Sequence, residues 1–281
     1  MSADQYIISS DKLIIRDPEL GIDIALDFFL PRLPSNLEGT GIVKDCDADG
    51  NLLLAYLVCE GRRHGQCKSF AEEGRLRGEM FYLHGKLHGP SITYSDQGET
   101  LSKTWYCEGR KIGKAHFYST SGALLSLQRF KDGQWEGVQE YFYEKGAIKS
   151  LIPFIRGKLH GEVQLFWESG KPKRSVHYNE GLRKGFDRLW NEHGVLIDEG
   201  EYDAGKPMGI HRHYYASGKV KEELHYHTPL RFDTRQWDEN GKMIVEGIFS
   251  PDLTYTERVF LEPHGSKVRK GVWDENRIRW K

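Results

Sequence analysis

The sequence predicts an all-β protein, an elongated single-layer antiparallel sheet of about eight 24-residue β-hairpins with atypical end caps. Three observations carry that expectation. Glycines recur as G-x-x-x-G pairs at Gly61/Gly65, Gly85/Gly89, Gly109/Gly113, Gly133/Gly137, Gly157/Gly161, Gly181/Gly185 and Gly205/Gly209, each pair 24 residues from the last. A second series, Gly50, Gly74, Gly98, Gly122, Gly146, Gly170, Gly194 and Gly218, keeps the same step. Two aromatic series run with them. One is Phe70, Tyr94, Tyr118, Phe142, Phe166, Trp190 and Tyr214; the other is Tyr82, Tyr106, Phe130, Phe154, Tyr178, Tyr202 and Tyr226. A fixed period in four columns is the mark of a repeat protein.

Taken in chain order, residues 1–36 hold no glycine pair but include the apolar stretch Ile22 to Leu30, and are expected to form an N-terminal cap. The array is expected over residues 37–241. It opens with a degraded unit in which Gly41 and Gly50 are in register and Cys46 fills an aromatic slot. Within each unit, segments such as Gly89 to Tyr94 and Glu99 to Tyr106 are β-branched, aromatic and one strand long. Ser95 to Gly98 reads as the turn between them, and the G-x-x-x-G segment as the other connection, its glycines supplying positive φ. No 3.6-residue periodicity persists, which excludes a helical repeat. Both aromatic columns are expected on one face, buried by neighbouring units. Pro153 falls inside a strand, where it predicts a bulge or a missing ladder bond. Beyond Tyr226 the pattern slips, with Trp237 and Gly241 one residue early, and residues 242–281 are expected to form a C-terminal β cap.

Composition narrows the function classes. In 281 residues, 40 Lys+Arg against 41 Asp+Glu leave a net charge of −1, without the global basic field of a non-specific nucleic-acid binder. The hydrophobic fraction of 38% and mean hydropathy of −0.62 describe a thin core, while 12% aromatics are too many for a disordered chain. Four cysteines are too few for a disulfide framework at this length. No apolar run reaches the roughly 18 residues of a membrane helix, and the start lacks the pattern of a secretion signal. The expected location is the cytoplasm, with the periphery of a membrane as the alternative.

The pattern Y-x-x-G-K-x-H-G-x4-Y-x3-G resembles the MORN repeat (membrane occupation and recognition nexus). More closely it resembles bacterial variant MORN repeats known as antitoxin components of toxin–antitoxin modules. Tyr82 to Gly89 with Tyr94 and Gly98 is the clearest copy, and Phe154 to Gly161 with Phe166 and Gly170 is another. The resemblance covers residues 37–241. It implies a hairpin-repeat fold and a protein partner, such as a toxin or effector, or an anionic phospholipid surface.

Candidate sites emerge from the same columns. Tyr141, Tyr143, Trp167 and Tyr215 flank the aromatic series and are expected on an exposed partner-binding face. Arg62, Lys86, Arg110, Lys111, Lys158, Arg183 and Lys184 give the G-x-x-x-G loops a basic edge suited to anionic lipid heads, opposite turns rich in Glu and Asp. His211, His213, His225 and His227 form two H-x-H pairs on successive strands, the weak candidates for a metal. His64, His88 and His160 share one loop slot and are explained by repeat consensus. No nucleophile elbow, P-loop, dinucleotide fingerprint or H-E-x-x-H motif occurs. The expected function is non-enzymatic protein binding along an extended face, without a cofactor and without nucleic acid, by a monomer or an end-to-end dimer. The alternative is peripheral membrane association through the basic edge.

Overall fold

The computed structural model describes residues 5–9, 12–17, 22–27, 41–71, 73–261, 265–274 and 277–280. All described regular structure is β-strand. The strands from Gly41–Cys46 to Arg277–Trp280 succeed one another in chain order as an open antiparallel sheet. The shortcut Leu127↔Glu140 only steps over the two-residue strand Gln134–Trp135. Two compact units divide the chain inside the array. The first is Met1–Ile148 with Phe154–Gly157, the second Lys149–Pro153 with Lys158–Lys281.

Each hairpin is closed by a two-residue turn. Cys59 pairs with Arg62 around Glu60 and Gly61, whose φ values of 51° and 71° are both positive. That is a type I′ turn, whose twist matches the strands it joins. The G-x-x-x-G segment is therefore not a loop: only its first glycine belongs to the turn. The second lies in a bulge, since Tyr56 pairs with Cys67 and Val58 with Arg63, leaving Leu57 opposite three residues. Gly65 takes φ 73° there, which a Cβ would disfavour. Pro153 stands opposite the matching bulge, where His160 donates to its carbonyl at 3.1 Å, so the expectation of a bulge at this proline holds.

Successive hairpins are joined by a longer, side-chain-capped turn. Ser95 N–H donates to Glu99 O and Gly98 N–H to Ser95 O, while Ser95 Oγ accepts from Gln97 and Glu99 N–H. Asp47, Asn191 and Asp238 repeat that side-chain cap, which accounts for the polar residue opening these turns.

Register places the two aromatic columns on opposite faces, which corrects the expectation of one shared face. Tyr106 lies opposite Gly89 and shares a face with Thr104 and Ser91, whereas Tyr94 donates to Glu79 on the other. The Tyr106 face is the packed, inner one. Cys67, Ala115, Gln139, Asp187 and His211 hold one repeat position beside the bulge and are all buried. Each of these residues lies at or just after a bulge, which bends its own strand locally. Around His211 the rings of Tyr202 and Tyr226 lie 5.0 and 4.7 Å away, with Phe232 and Phe249 continuing the row.

Gln5–Ser9, Lys12–Asp17 and Ile22–Asp27 form a separate three-stranded sheet instead of pairing with Gly41–Cys46. Its middle strand lies against Arg110–Tyr118, three hairpins into the first unit. Residues 28–36 of the expected N-terminal cap lie outside the described residues. In the second unit, Met243–Phe249 pairs directly with Arg231–Trp237, and Thr254–Leu261, Gly265–Asp274 and Arg277–Trp280 extend the same sheet.

A Cβ at Gly200 would collide with the His211 imidazole, whereas Gly41 has open space. Gly200→Ala is expected to cost about 1–3 kcal/mol in urea unfolding, and Gly41→Ala to stay within about 0.5 kcal/mol.

Candidate interaction surface

The inner face is filled by its own polar contacts. Asp187, buried, accepts two bonds from Arg174 at 2.9 and 2.7 Å and one from Arg183 at 3.2 Å. Gln139 is fully buried, accepts from Arg129 N–H and donates to the Arg129, Glu136 and Gly137 carbonyls. His211 Nε2 lies 2.8 Å from Glu201 O. Buried polar groups this well matched specify a packing arrangement.

Along the I′-turn edge the cations divide by role. Arg63, Lys111 and Arg183 turn inward, each over the aromatic ring of the next hairpin: 5.6 Å from Tyr82, 5.0 Å from Phe130 and 4.0 Å from Tyr202. Trp135 fills the same position against Phe154 at 4.7 Å. Lys86, Arg110 and Lys158 face the first turn residue of the following hairpin, Glu108 at 3.9 Å, Asp132 at 4.0 Å and Glu180 at 3.1 Å. Arg62 lays its stem beside Gly85, and Lys184 lies within a bulge. The edge is thus a row of alternating charge, and its cations do not form one continuous basic strip.

The predicted aromatic quartet is half-buried. Tyr143, Trp167 and Tyr215 open turns, in the slot that Ser95 or Asp238 holds elsewhere. Trp167 Nε1 donates to Trp190 O at 3.2 Å and Tyr215 Oη to Trp237 O at 2.7 Å, so both fasten one hairpin to the next. Tyr141 lies on the inner face opposite Ser126, where burial raises its phenol pKa.

The four histidines are not brought together. Register sets His211 against Leu224 and Ile210 against His225, so His211 and His213 face inward while His225 and His227 face outward. No disulfide joins the four cysteines, and Cys67 is buried with its pKa raised first by desolvation.

The outer face of the second unit carries a feature that periodicity did not reveal. Arg188, Glu199, Arg212, Glu223, Arg235, Glu246 and Arg258 are successive register partners across seven strands. Their ion pairs include Arg212–Glu223 at 3.0 Å, Arg258–Glu246 at 3.2 Å and Arg188–Glu199 at 3.5 Å. Between this ladder and the I′-turn edge lie exposed Phe186, Ile210 and Ile248. In the first unit the same face carries buried Trp105, Ile112 and Lys114, on and beside the strand that meets the N-terminal sheet. The 24-residue steps Arg188/Arg212 and Phe186/Ile210 were open to detection, but their common face depends on register.

Two measurements test these contacts. Glu223→Gln is expected to cost about 0.5 kcal/mol at low salt and to become neutral in about 1 M salt, measured by urea unfolding. His213 is raised above its ordinary pKa of about 6.5, first by its hydrogen bond to Asp198, then by nearby charge, with desolvation opposing. Its contribution to stability is therefore complete below pH 6.5 and is lost as pH rises through the raised value. An NMR titration should place His213 above 6.5 and Asp198→Asn should bring it down; a wild-type value at or below 6.5 would contradict the pairing.

Comparison with known proteins agrees with this geometry in part of the chain. A search of the curated proteins found no match. The family model described as MORN repeat variant matches residues 135–156, 159–180 and 209–227, segments that each run from one two-residue turn of the array towards the next. To that extent the chain is similar to MORN repeats, which are generally protein- or membrane-binding modules and not typically catalytic.

Proposed function

We propose that this chain is a non-enzymatic protein-binding scaffold that holds a folded partner on the outer face of its second unit. The observation that carries the reading is the exposed row Phe186, Ile210 and Ile248 beside the Arg–Glu ladder. Large apolar side chains aligned on one face and bordered by fixed charges suit a protein interface, with an apolar centre and a polar rim. The first unit supports it further, since the corresponding face there carries buried Trp105, Ile112 and Lys114 on and beside the strand that meets the N-terminal sheet. In the cell the scaffold would act in the cytoplasm as an escort or antitoxin-like neutraliser of a partner such as a toxin or effector. Tyr141, Tyr143, Trp167 and Tyr215 support this surface through the packing of its hairpins.

Anionic phospholipid is the second reading. It rests on the periodic cations Lys86, Arg110 and Lys158, whose facing carboxylates weaken it.

Affinity purification of the full chain from its native cells, washed at low and high salt, separates the two. A stoichiometric protein that survives high salt and is lost with Phe186→Lys/Ile210→Lys is the expected result. Salt-labile phospholipid whose retention falls with Lys86→Glu/Lys158→Glu would move the function to the turn edge.

A further inference from the structure

We propose that His225, His227 and Asp233 form a surface site for one borderline divalent transition-metal ion, of the Zn²⁺ class, on the outer face of the second unit. The two histidines are two apart on one strand, His227 at the bulge between Tyr226 and Thr228, and Asp233 is the direct register partner of His225 on the next strand. One ligand atom from each lies within 4.8 Å of the others. The His225 and His227 ring centroids are 4.5 Å apart, and His227 Nε2 lies 2.8 Å from Asp233 Oδ2.

That last contact is the metal-free form of the site: one proton lies between an imidazole nitrogen and a carboxylate oxygen, and both atoms point at the same spot. A metal ion takes the proton's place, while the His227 ring carries its proton on Nδ1 instead, so the exchange consumes no other reagent. Two imidazoles and one carboxylate select borderline ions over Ca²⁺ or Mg²⁺, which require mostly oxygen donors. Three protein ligands leave at least one coordination position open to water or to a donor from another molecule. The strands hold the donors in place. Ile210 pairs with His225 and Ile248 with Asp233, so an exposed isoleucine flanks the donors on each side. His211 and His213, on the inner face, take no part.

The test is calorimetric titration of the untagged full chain with zinc chloride after chelator treatment. One Zn²⁺ per chain is expected, with affinity falling at least tenfold in His225→Ala and in Asp233→Asn and unchanged in His213→Ala. In parallel, substoichiometric Cu²⁺ should broaden the His225 and His227 ring resonances before that of His213, a readout that needs no variant. Absence of saturable Zn²⁺ uptake by the wild-type chain would overturn the site. So would uptake that His225→Ala and Asp233→Asn leave intact, or copper broadening that begins at other histidines.

Discussion

The structure depends on the docking of each I′ turn onto the hairpin before it. Gly85 N–H donates to Arg63 O, Gly109 to Leu87 O, Gly133 to Lys111 O, Gly157 to Trp135 O, Gly181 to Leu159 O and Gly205 to Arg183 O, all at 2.7 to 2.9 Å. A type I′ turn at the edge of a hairpin ordinarily leaves that amide to water. Here it becomes a bond between repeats, and it is available only because both turn residues hold positive φ and a bulge comes four residues later. Each such bond adds only about 1 kcal/mol net. Repeated at every step, it sets each hairpin's position against its neighbour, as expected of a chain whose stability is a sum of nearest-neighbour terms.

The other rows depend on that placement. Docking the turn brings Arg63, Lys111 and Arg183 over the next aromatic ring and Lys86, Arg110 and Lys158 opposite the next turn carboxylate. On the far edge, Trp167, Lys171, Tyr215 and Lys219 donate forward to carbonyls about one repeat on. The charges that define the composition are therefore largely engaged along the repeat direction, between hairpins. A net charge near zero and a chain with few aliphatic residues are then consistent with a stable fold, because coupling comes from stacked rings and paired charges where a thick core is lacking.

The hairpin repeat was legible because positive φ is a demand that glycine meets most readily among common residues, and it recurs at three places in every unit. Faces were harder to read. Register partners such as Tyr82↔Leu87 and His211↔Leu224 join an even to an odd number, so the facing parity reverses across the hairpin, and Tyr82 and Tyr94 read as equivalent columns and yet lie on opposite faces. The same reversal separates His211 from His225, a pairing that spacing alone favoured, and joins His225 to Asp233, which spacing alone would not suggest. The carboxylates of the turn edge escaped notice for a different reason: Glu108, Asp132 and Glu180 precede the first glycine, outside the segment taken as the loop. The Arg–Glu ladder uses residues from seven strands and has no local signature. The N-terminal sheet obeys no repeat, so its position against Arg110–Tyr118 could not be read from periodicity.

Amide hydrogen exchange on the intact chain, resolved by residue, is the most direct test of inter-repeat docking. The docked geometry predicts that the turn amides of Gly85, Gly109, Gly133, Gly157, Gly181 and Gly205 exchange as slowly as neighbouring strand amides, although they occupy exposed turns. Exchange of those glycines at the rate of an unstructured peptide, with the strands still protected, would contradict it and leave the hairpins held together by their ladders alone.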